Sequence, residues 1–280
     1  FQAEDGIRDF CLSRGLGDVY KRQLIANRGE IACRIIKTSK KLGIKSSVIY
    51  SSEDENSLAV QMADHAFFLE SKDGEKKEYL DTDQIISIAL KNKIEAIHPG
   101  YGFLSENANF AKLVEDNGIK FIGPPYTAIK IMGDKIISKK HAKNSGVSTI
   151  PGVQDEIKSF EDAVKASKKI GFPLMIKASA GGGGKGMRIV YEEKELNDKF
   201  TSAKNEAKAS FGDSRVFIEK FIEDPHHIEI QIIGDQFGNY LHLGERDCSI
   251  QRRNQKIIEE RPSPFINSKI RNLMADQAIL

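Results

Sequence analysis

One stretch of the chain has residue types and spacing that suit phosphate binding. In PLMIKASAGGGGKGMRIVY, residues 173–191, a run of glycines beside a lysine lies between two apolar segments. Backbone N–H groups can approach a phosphate closely where no Cβ intervenes. Lys177, in the apolar segment before the glycines, can reach the same phosphates as a point charge. The stretch therefore predicts a phosphate-covering loop with Gly183 and Gly184 near its tip.

The surrounding residues discriminate between the known types of glycine-rich loop. A Walker P-loop requires serine or threonine after its glycine–lysine pair, whereas Gly186 follows Lys185 here and Ser179 stands at the first glycine position. A GxGxxG match is present, but a dinucleotide-binding loop opens a helix, and the MRIVY that follows has the pattern of a strand. What remains is a β-hairpin with a glycine tip, as in protein kinases, where it covers ATP phosphates. A flexible surface hairpin is the alternative.

Two further apolar stretches contain polar side chains. VFIEKFI has the pattern of a buried strand that includes Glu219 and Lys220, and charges are rarely buried without partners, which indicates a function. In HIEIQII, the side chains of His227, Glu229 and Gln231 alternate with isoleucines. This alternation predicts a strand with one polar face and one core face.

Composition excludes several classes of partner. The chain of 280 residues has 42 basic and 40 acidic side chains, a formal net charge of +2, so no global field attracts nucleic acid. The basic patch QRRNQK lacks an aromatic stacking platform, which also disfavours nucleic acid. Cys11, Cys33 and Cys248 form no CxxC pair and indicate a reducing compartment. No apolar run approaches the roughly 18 residues that cross a bilayer. We therefore expect a cytoplasmic protein (mitochondrial matrix if eukaryotic) with neither nucleic acid nor membrane as a partner.

The segments that must position the glycine loop and the polar strand residues alternate between helical and strand patterns. Four segments consist of a helical pattern, a glycine at its end and a short apolar strand: KKLGIKSSVIY, VEDNGIKFIGP, AKNSGVSTIP and SKKIGFPLMIK. Glycine just past a helix takes the left-handed conformation that closes it, and β-branched residues then favour a strand. This alternation predicts an α/β fold.

Residues 24–137 predict a Rossmann-like domain. The pattern over residues 24–123 is β-α-β-α-β-α-β. The helix residues expected to face the core are Ile31, Ile35, Phe110, Leu113 and Val114. The first turn, ANRGEIA, lacks the GxGxxG fingerprint, which argues against a nicotinamide-dependent dehydrogenase.

The rest of the chain divides into three further segments. Residues 138–225 predict a small α+β lid with the glycine hairpin inside it. Residues 226–280 begin another subdomain with a hairpin and end in a helical pattern without a stop signal, which we interpret as a truncated domain. Residues 1–23 have neither the period-2 apolar pattern of a strand nor the apolar pattern of a helix, and we interpret them as a non-native or disordered leader.

Six blocks over residues 24–280 resemble the biotin carboxylase family of the ATP-grasp superfamily, in the family's order and spacing: ANRGEIACRI, HPGYGFLSEN, MGDK, IKASAGGGGKGMR, EKFIEDPHHIEIQ and ERDCSIQRRNQK. Within it, SAGGGGKGMR, FGDSR and SIQRRNQK are most similar to α subunits of propionyl-CoA carboxylases, with acetyl-CoA and methylcrotonyl-CoA carboxylases as close relatives. The resemblance implies a Rossmann-like pre-ATP-grasp domain followed by an incomplete ATP-grasp domain with an α+β lid.

The resemblance also implies a reaction. ATP cleavage activates bicarbonate to carboxyphosphate, which carboxylates biotin on a carrier domain, and Mg²⁺ or Mn²⁺ bridges the phosphates. The implied partners are the biotin carboxyl carrier domain and a carboxyltransferase subunit, and the full-length component is expected to form a homodimer. A carbamoyl-phosphate synthetase-like ligase and a non-catalytic nucleotide-binding module are the alternatives.

Site residues follow from the matched motifs. Lys135 of MGDK and Lys177 correspond to phosphate lysines, Glu219 would accept from the exocyclic amine of adenine, and backbone groups at Lys220 and Ile222 would read its ring edge. The implied ATP-binding residues are Lys135, Lys177, Gly183, Gly184, Glu219, Lys220, Phe221, Ile222, His227, Gln251 and Asn254. Many family members have histidine at this position, so Asn254 departs from the family pattern.

Lys256 corresponds to the bicarbonate-binding lysine, with Arg252 and Arg253 adding positive charge. Glu229, on the same strand face as His227, is expected to be a supporting polar group rather than the principal metal ligand. HPGYGFLSEN is expected to be architectural and to pack the N-terminal sheet against the ATP site. The family's metal-binding glutamates, catalytic base and biotin-site arginines are expected beyond residue 280, so no metal ligand is assigned here and the 280-residue polypeptide is expected to be inactive by itself.

Overall fold

The computed structural model describes residues 20–71, 77–153, 155–180, 185–253 and 255–280. The chain divides into two compact units, the first ending at Lys130 and the second beginning at Ile131. This division lies inside the helix Tyr126–Gly133, somewhat before the predicted domain end at residue 137.

The first unit is built on a parallel sheet. Its strands are β1 (Arg22–Ile25), β2 (Lys45–Tyr50), β3 (His65–Phe68), β4 (Ala96–His98) and β5 (Lys120–Phe121). Their order is β3-β2-β1-β4-β5, and all neighbours are parallel. The helices are α1 (Gly29–Lys41), α2 (Leu58–Met62), α3 (Thr82–Lys91), α4 (Ala108–Asp116) and α5 (Tyr126–Gly133), which spans the division. The predicted Rossmann-like α/β architecture is confirmed.

The predicted core faces of the helices are also confirmed. Ile31 and Ile35 of α1 and Phe110 and Val114 of α4 are buried, and Leu113 packs partly buried against the same core. A helix places residues three and four apart on one side, so this spacing gives each helix an apolar stripe that covers the sheet.

Three features of this unit differ from the prediction: helix α2 and strand β3 are absent from the predicted pattern, and strand β1 begins earlier. Strand β3 has no alternating burial and pairs only with β2 at the edge of the sheet, so its sequence carries no buried-strand pattern. Strand β1 begins at Arg22, inside the predicted leader, because backbone pairing and not side-chain polarity defines a strand. The Lys21 and Arg22 N–H groups donate to the Glu95 carboxylate at 2.7 and 2.8 Å, and Gln23 is buried.

The second unit contains the antiparallel sheet of the predicted lid. Its strands are β6 (Leu174–Ala178), β7 (Met187–Val190) and β8 (Val216–Lys220), in the order β7-β6-β8. Helix α6 (Lys135–Asn144) precedes the sheet, and helices α7 (Phe160–Ile170) and α8 (Leu196–Phe211) pack on it. The shared core includes Ala163, Leu174, Ile176, Phe200 and Ile218. The order of elements agrees with the predicted α+β lid.

The remaining elements are two hairpins and a helix. They are β9 (Ile228–Gly234) with β10 (Tyr240–Asp247), β11 (Gln251–Arg252) with β12 (Gln255–Lys256), and α9 (Ser268–Ile279). The predicted core face of β9 is wrong at Ile232, which is 37% exposed. Alternation shows which face of a strand is apolar, but not whether another element packs on it. Within the described residues, no helix is long and apolar enough to span a membrane.

Candidate functional site

Strand β6 presents Lys177 on the face opposite the core. Leu174, Ile176 and Ala178 are buried, whereas the Lys177 side chain keeps 24% of its surface exposed. Successive side chains of a strand point to opposite faces, so the core residues fix the orientation of the lysine. A cationic group is thus held just before the glycine loop.

The returning end of the loop is anchored at Gly186. Its N–H donates to the Glu206 carboxylate at 2.9 Å, and Arg188 pairs with the same carboxylate at 2.8 Å. Gly186 has a φ of +68°, and a Cβ there would lie 2.7 Å from the Ala178 Cβ, so both backbone and packing require glycine. Gly183 and Gly184 lie outside the described residues, and their role stays a prediction.

Helix α6 brings Lys135 to the end of β6. The Lys135 N–H donates to the Ser179 carbonyl at 3.1 Å, and its Nζ lies 3.4 Å from the Ala178 carbonyl oxygen. Burial lowers the pKa of Lys135 and nearby Lys177 lowers it further, while Glu219 acts in the opposite direction. Two mutually repelling ammonium groups therefore share this position, and a bound anion would relieve their repulsion.

Asp134 fixes the beginning of α6. Its carboxylate accepts from the Ile136 and Ile137 N–H groups, both at 3.0 Å, and from the Ser179 hydroxyl at 2.9 Å. Arg215 pairs with it at 2.9 Å. Burial would raise the pKa of Asp134, but these hydrogen bonds together lower it. The carboxylate thus joins α6 to the residues that follow β6 and precede β8.

The Glu219 carboxylate lies between two lysines. The residue is only 5% exposed, one carboxylate oxygen pairs with Lys177 Nζ, and the other pairs with Lys139 Nζ at 2.8 Å. The sequence predicts that Glu219 accepts from an adenine amine. Because each oxygen already has a lysine partner, such a contact would have to use a remaining lone pair.

The residues after Glu219 have backbone partners of their own. The Lys220 N–H donates to the Pro151 carbonyl at 2.8 Å, and its Nζ donates to the Phe172 carbonyl at 2.8 Å. The Phe221 N–H is also bonded to the backbone, at 3.2 Å. The Lys220 amide is therefore not free for a ligand, so the predicted backbone contact at this position would fall to the carbonyl oxygen. Ile222 is 44% exposed.

A second charged cluster lies on the β9–β10 hairpin. Glu229 pairs with Arg246, which faces it across the ladder, and with Lys256 from β12. His227 Nε2 lies 3.7 Å from the same carboxylate. Burial would raise the pKa of Glu229, but the hydrogen bonds from Lys256 and Arg246 lower it, and Glu229 in turn raises the pKa of Lys256. The cluster keeps Lys256 charged and oriented.

The short hairpin β11–β12 brings Gln251 and Lys256 opposite each other. The Gln251 amide donates to the Cys248 carbonyl at 2.9 Å. Arg253 has a φ of +51°, as a tight turn requires, and Asn254 lies outside the described residues. Of the predicted site, the structure therefore assembles Lys135, Lys177 and Glu219 in one group and His227, Gln251 and Lys256 in another.

The HPGYGFLSEN loop is held inside the first unit. The buried Asn27 side chain donates to the Pro99 and Tyr101 carbonyls, both at 2.8 Å. Asn107 caps α4 by accepting from the Phe110 N–H at 3.0 Å. These contacts support the architectural role, whereas the predicted packing against the ATP site stays a prediction.

Sequence reasoning missed two members of these clusters. Lys139 lies one helical turn after Lys135, and that spacing places both lysines on one face of α6. Arg246 could be paired with Glu229 only once the register of the β9–β10 hairpin was known. The helical spacing of Lys139 was a usable signal, whereas Arg246 gave none.

One group of side chains in the described part of the chain has the spacing of a metal site: Glu229, Cys248 and Glu259, whose ligand atoms lie within 4.8 Å of one another. Mg²⁺ and Mn²⁺ prefer oxygen ligands. Here one of the three groups is a buried thiol whose pKa is raised by burial, and Glu229 is already ion-paired with Arg246 and Lys256. The group does not suit a nucleotide-bridging metal.

Comparison with known proteins gives consistent matches to both units. Residues 19–129 match the family model "Biotin carboxylase, N-terminal domain", and residues 134–280 match "Carbamoyl-phosphate synthase L chain, ATP binding domain". The chain is 52% identical over 261 residues to the propionyl-CoA carboxylase alpha chain of Ruegeria pomeroyi, covering 93% of this chain and 38% of the relative.

Two other known proteins are also similar to this chain. The mitochondrial methylcrotonoyl-CoA carboxylase subunit alpha of Dictyostelium discoideum is 52% identical, with 91% of this chain and 36% of the relative covered. The biotin carboxylase domain dimer of Hydrogenobacter thermophilus 2-oxoglutarate carboxylase, solved with MgADP, ADP and bicarbonate, superimposes with a TM-score of 0.89 at 46% identity. That match covers 94% of this chain and 57% of the solved one.

Proposed function

The chain belongs to the biotin carboxylase family, and from that premise we propose that it supplies the nucleotide- and bicarbonate-binding residues of an ATP-dependent biotin carboxylase. The proposed reaction activates bicarbonate with ATP to carboxyphosphate and carboxylates biotin on a carrier domain. The placement of Lys135 at the end of β6, the strand that carries Lys177, is the observation that carries the proposal. The chain spans 38% of the length of the propionyl-CoA carboxylase relative, so the activity belongs to the whole protein.

In this proposal the two lysines neutralise phosphate oxygens. Helix α6 places Lys135 at the end of β6, and β6 carries Lys177 just before the glycine loop, so both positive charges lie near the position proposed for the transferred phosphoryl group. Gly183 and Gly184 would exclude water from the reacting groups. The residues proposed to hold the rest of ATP are Glu219, Lys220, Phe221, Ile222, His227, Gln251 and Asn254.

Lys256 is the proposed bicarbonate ligand. Its ammonium group is held by Glu229, which also pairs with Arg246, while a second carboxylate, Glu259, lies 3.6 Å from Arg246. A compact ammonium group with three donors can bind a small oxyanion while keeping one donor on the carboxylate. Glu229 acts here as a support for Lys256.

We also propose MgATP or MnATP and carrier-bound biotin as the reactants. A bound divalent metal would neutralise phosphate charge, and no described residue is assigned as its ligand. The similar 2-oxoglutarate carboxylase domain, which was solved with MgADP and bicarbonate, supports this assignment.

The acyl-CoA and the partners are part of the same proposal. We favour the propionyl-CoA type, with a biotin carboxyl carrier domain and a carboxyltransferase subunit as partners and a homodimeric full-length component. The R. pomeroyi relative supports this choice, although the methylcrotonoyl-CoA relative is equally identical. A cytoplasmic location is proposed, or the mitochondrial matrix in a eukaryote, as for the mitochondrial D. discoideum relative.

A carbamoyl-phosphate synthetase-like ligase is the second candidate, because the model matched over residues 134–280 carries that name. Measuring ATP cleavage by the carboxylase complex that contains this chain distinguishes the two candidate functions. Biotin carboxylation predicts bicarbonate-dependent cleavage that biotin stimulates and ammonia does not. Stimulation by ammonia in place of biotin would favour the second candidate.

The contribution of Lys135 is tested in the same assay. Lys135→Met removes a phosphate contact and should raise the KM for ATP about tenfold or more, as expected for one charge-assisted hydrogen bond. Lys143→Met, on an exposed residue of the same helix, is the matched control and should leave the KM unchanged. Equal KM values for the two variants would contradict the proposed role.

A further inference from the structure

Glu219 and its two lysines pose an energetic problem for nucleotide binding. The proposed function requires Lys177 to contact phosphate, yet its ammonium group is paired with the Glu219 carboxylate. That carboxylate is buried, and its side chain is only 6% exposed. Removing a partner from a buried ion pair is costly because it leaves an uncompensated charge in a poorly solvated position.

Lys139 is placed to solve this problem. Its Nζ lies 2.8 Å from the second oxygen of Glu219, and its side chain is 12% exposed. The ammonium group also lies 5.7 Å from the centre of the Phe217 ring, within the range of a cation–π contact. Lys139 is therefore fixed to Glu219 by contacts that do not involve Lys177.

We propose that Lys139 is a positioning residue that keeps Glu219 neutralised when Lys177 turns from that carboxylate to a nucleotide phosphate. The inference rests on the proposed function, because it needs Lys177 to be a phosphate ligand. Glu219 has two cationic partners in this structure and would keep one when Lys177 contacts a phosphate. Lys139 thereby lowers the cost of releasing Lys177 without touching the ligand itself.

The neighbouring Lys140 provides a matched control. It lies on the same helix and also pairs with a carboxylate, Asp155 at 2.5 Å, but its side chain is 44% exposed and that of Asp155 is 75% exposed. An exposed ion pair of this kind contributes little to the stability of the fold. Replacement of Lys140 by methionine removes the same charge from the same helix without affecting Glu219.

The test is the Kd for MgADP, measured by calorimetry on the full-length carboxylase component that contains this chain. Lys139→Met should weaken binding about tenfold or more, because release of Lys177 would then leave Glu219 without a partner. Lys139→Arg should stay within about threefold of wild type, because arginine restores the ion pair. Lys140→Met should bind as wild type does. Thermal unfolding of each variant verifies that it is folded, which is expected because Lys177 still neutralises Glu219 in unliganded Lys139→Met.

A double variant separates this role from simple loss of positive charge near the phosphates. In a Glu219→Gln background there is no buried carboxylate to compensate, so adding Lys139→Met should change the Kd by less than about twofold. An equally large effect in both backgrounds would overturn the proposal in favour of through-space attraction, and wild-type affinity in Lys139→Met would overturn it outright. Absence of MgADP binding in both wild type and Lys140→Met would instead overturn the proposed function.

Discussion

At the scale of single residues, the second unit uses carboxylates to hold lysines. Glu219 holds Lys139 and Lys177, and Glu229 holds Lys256 together with Arg246. In both cases a lysine that the sequence marks as an anion ligand already has an internal partner. A phosphate or bicarbonate bound by these lysines, as proposed, would therefore compete with a carboxylate.

The Glu229 cluster predicts a pH-dependent contribution to stability. The pKa of Glu229 is lowered in the fold, so its pairs stabilise the protein above the unfolded pKa of about 4.3 and are lost as the pH falls through the lower folded value. The pKa of Lys256 is raised, so its pair persists up to the unfolded pKa of about 10.4 and is lost as the pH rises through the higher folded value.

We therefore expect the difference in unfolding free energy between wild type and Glu229→Gln to be largest near pH 7. It should shrink as the pH falls from about 5 to 3, because the wild-type carboxylate becomes protonated. Urea unfolding at several pH values measures this difference, with Glu193→Gln, at an exposed residue, as the control. A difference that stays constant over the acidic range would contradict the assignment.

At the scale of elements, one helix cap connects three segments of the site. Asp134 caps α6 and also binds the Ser179 hydroxyl after β6 and Arg215 before β8. The position of Lys135 at the first turn of α6 therefore depends on the same carboxylate that orders the ends of both strands. This arrangement predicts that the cap contributes more than an ordinary N-cap does.

Comparison with the cap of α7 tests that prediction. As the N-cap of α7, the Ser159 side chain accepts from one backbone N–H, that of Asp162, at 3.2 Å. Ser159→Ala should lower the free energy of unfolding by about 1 kcal/mol, and Asp134→Ala by about 2–3 kcal/mol, because it also removes contacts with Ser179 and Arg215. Chemical denaturation measures both losses, and equal losses would show that the additional contacts of Asp134 are unimportant.

At the scale of the whole molecule, the sequence predicted the parts that depend on periodicity. The alternation of strands and helices in the first unit and the pairing of β6 with β7 in the second follow from apolar spacing and from glycines that close helices. Strand β3 was not predicted, because an edge strand is only half covered and lacks a buried-strand pattern. Ile232 was wrongly predicted to face the core, because alternation does not show whether another element packs on the apolar face.

Periodicity could not predict which side chains form ion pairs, for a different reason. Glu219 meets Lys139 across 80 positions of sequence, and Glu229 meets Lys256 across 27. Such pairs are set by strand register and by how a helix packs on a sheet, which a single sequence does not encode locally. The family motifs marked Lys177 and Lys256 as ligands, but they did not identify the carboxylates that hold them or the role of Lys139.

The central claim is that the second unit binds ATP phosphates through Lys177, and titration of the full-length component that contains this chain with MgATP by calorimetry tests it most directly. We expect binding at one site, weakened about tenfold or more in Lys177→Met through loss of one charge-assisted phosphate contact. Lys194→Met, at a side chain that is 77% exposed, should match wild type. No MgATP binding by wild type, or the same Kd for wild type and Lys177→Met, would contradict the account.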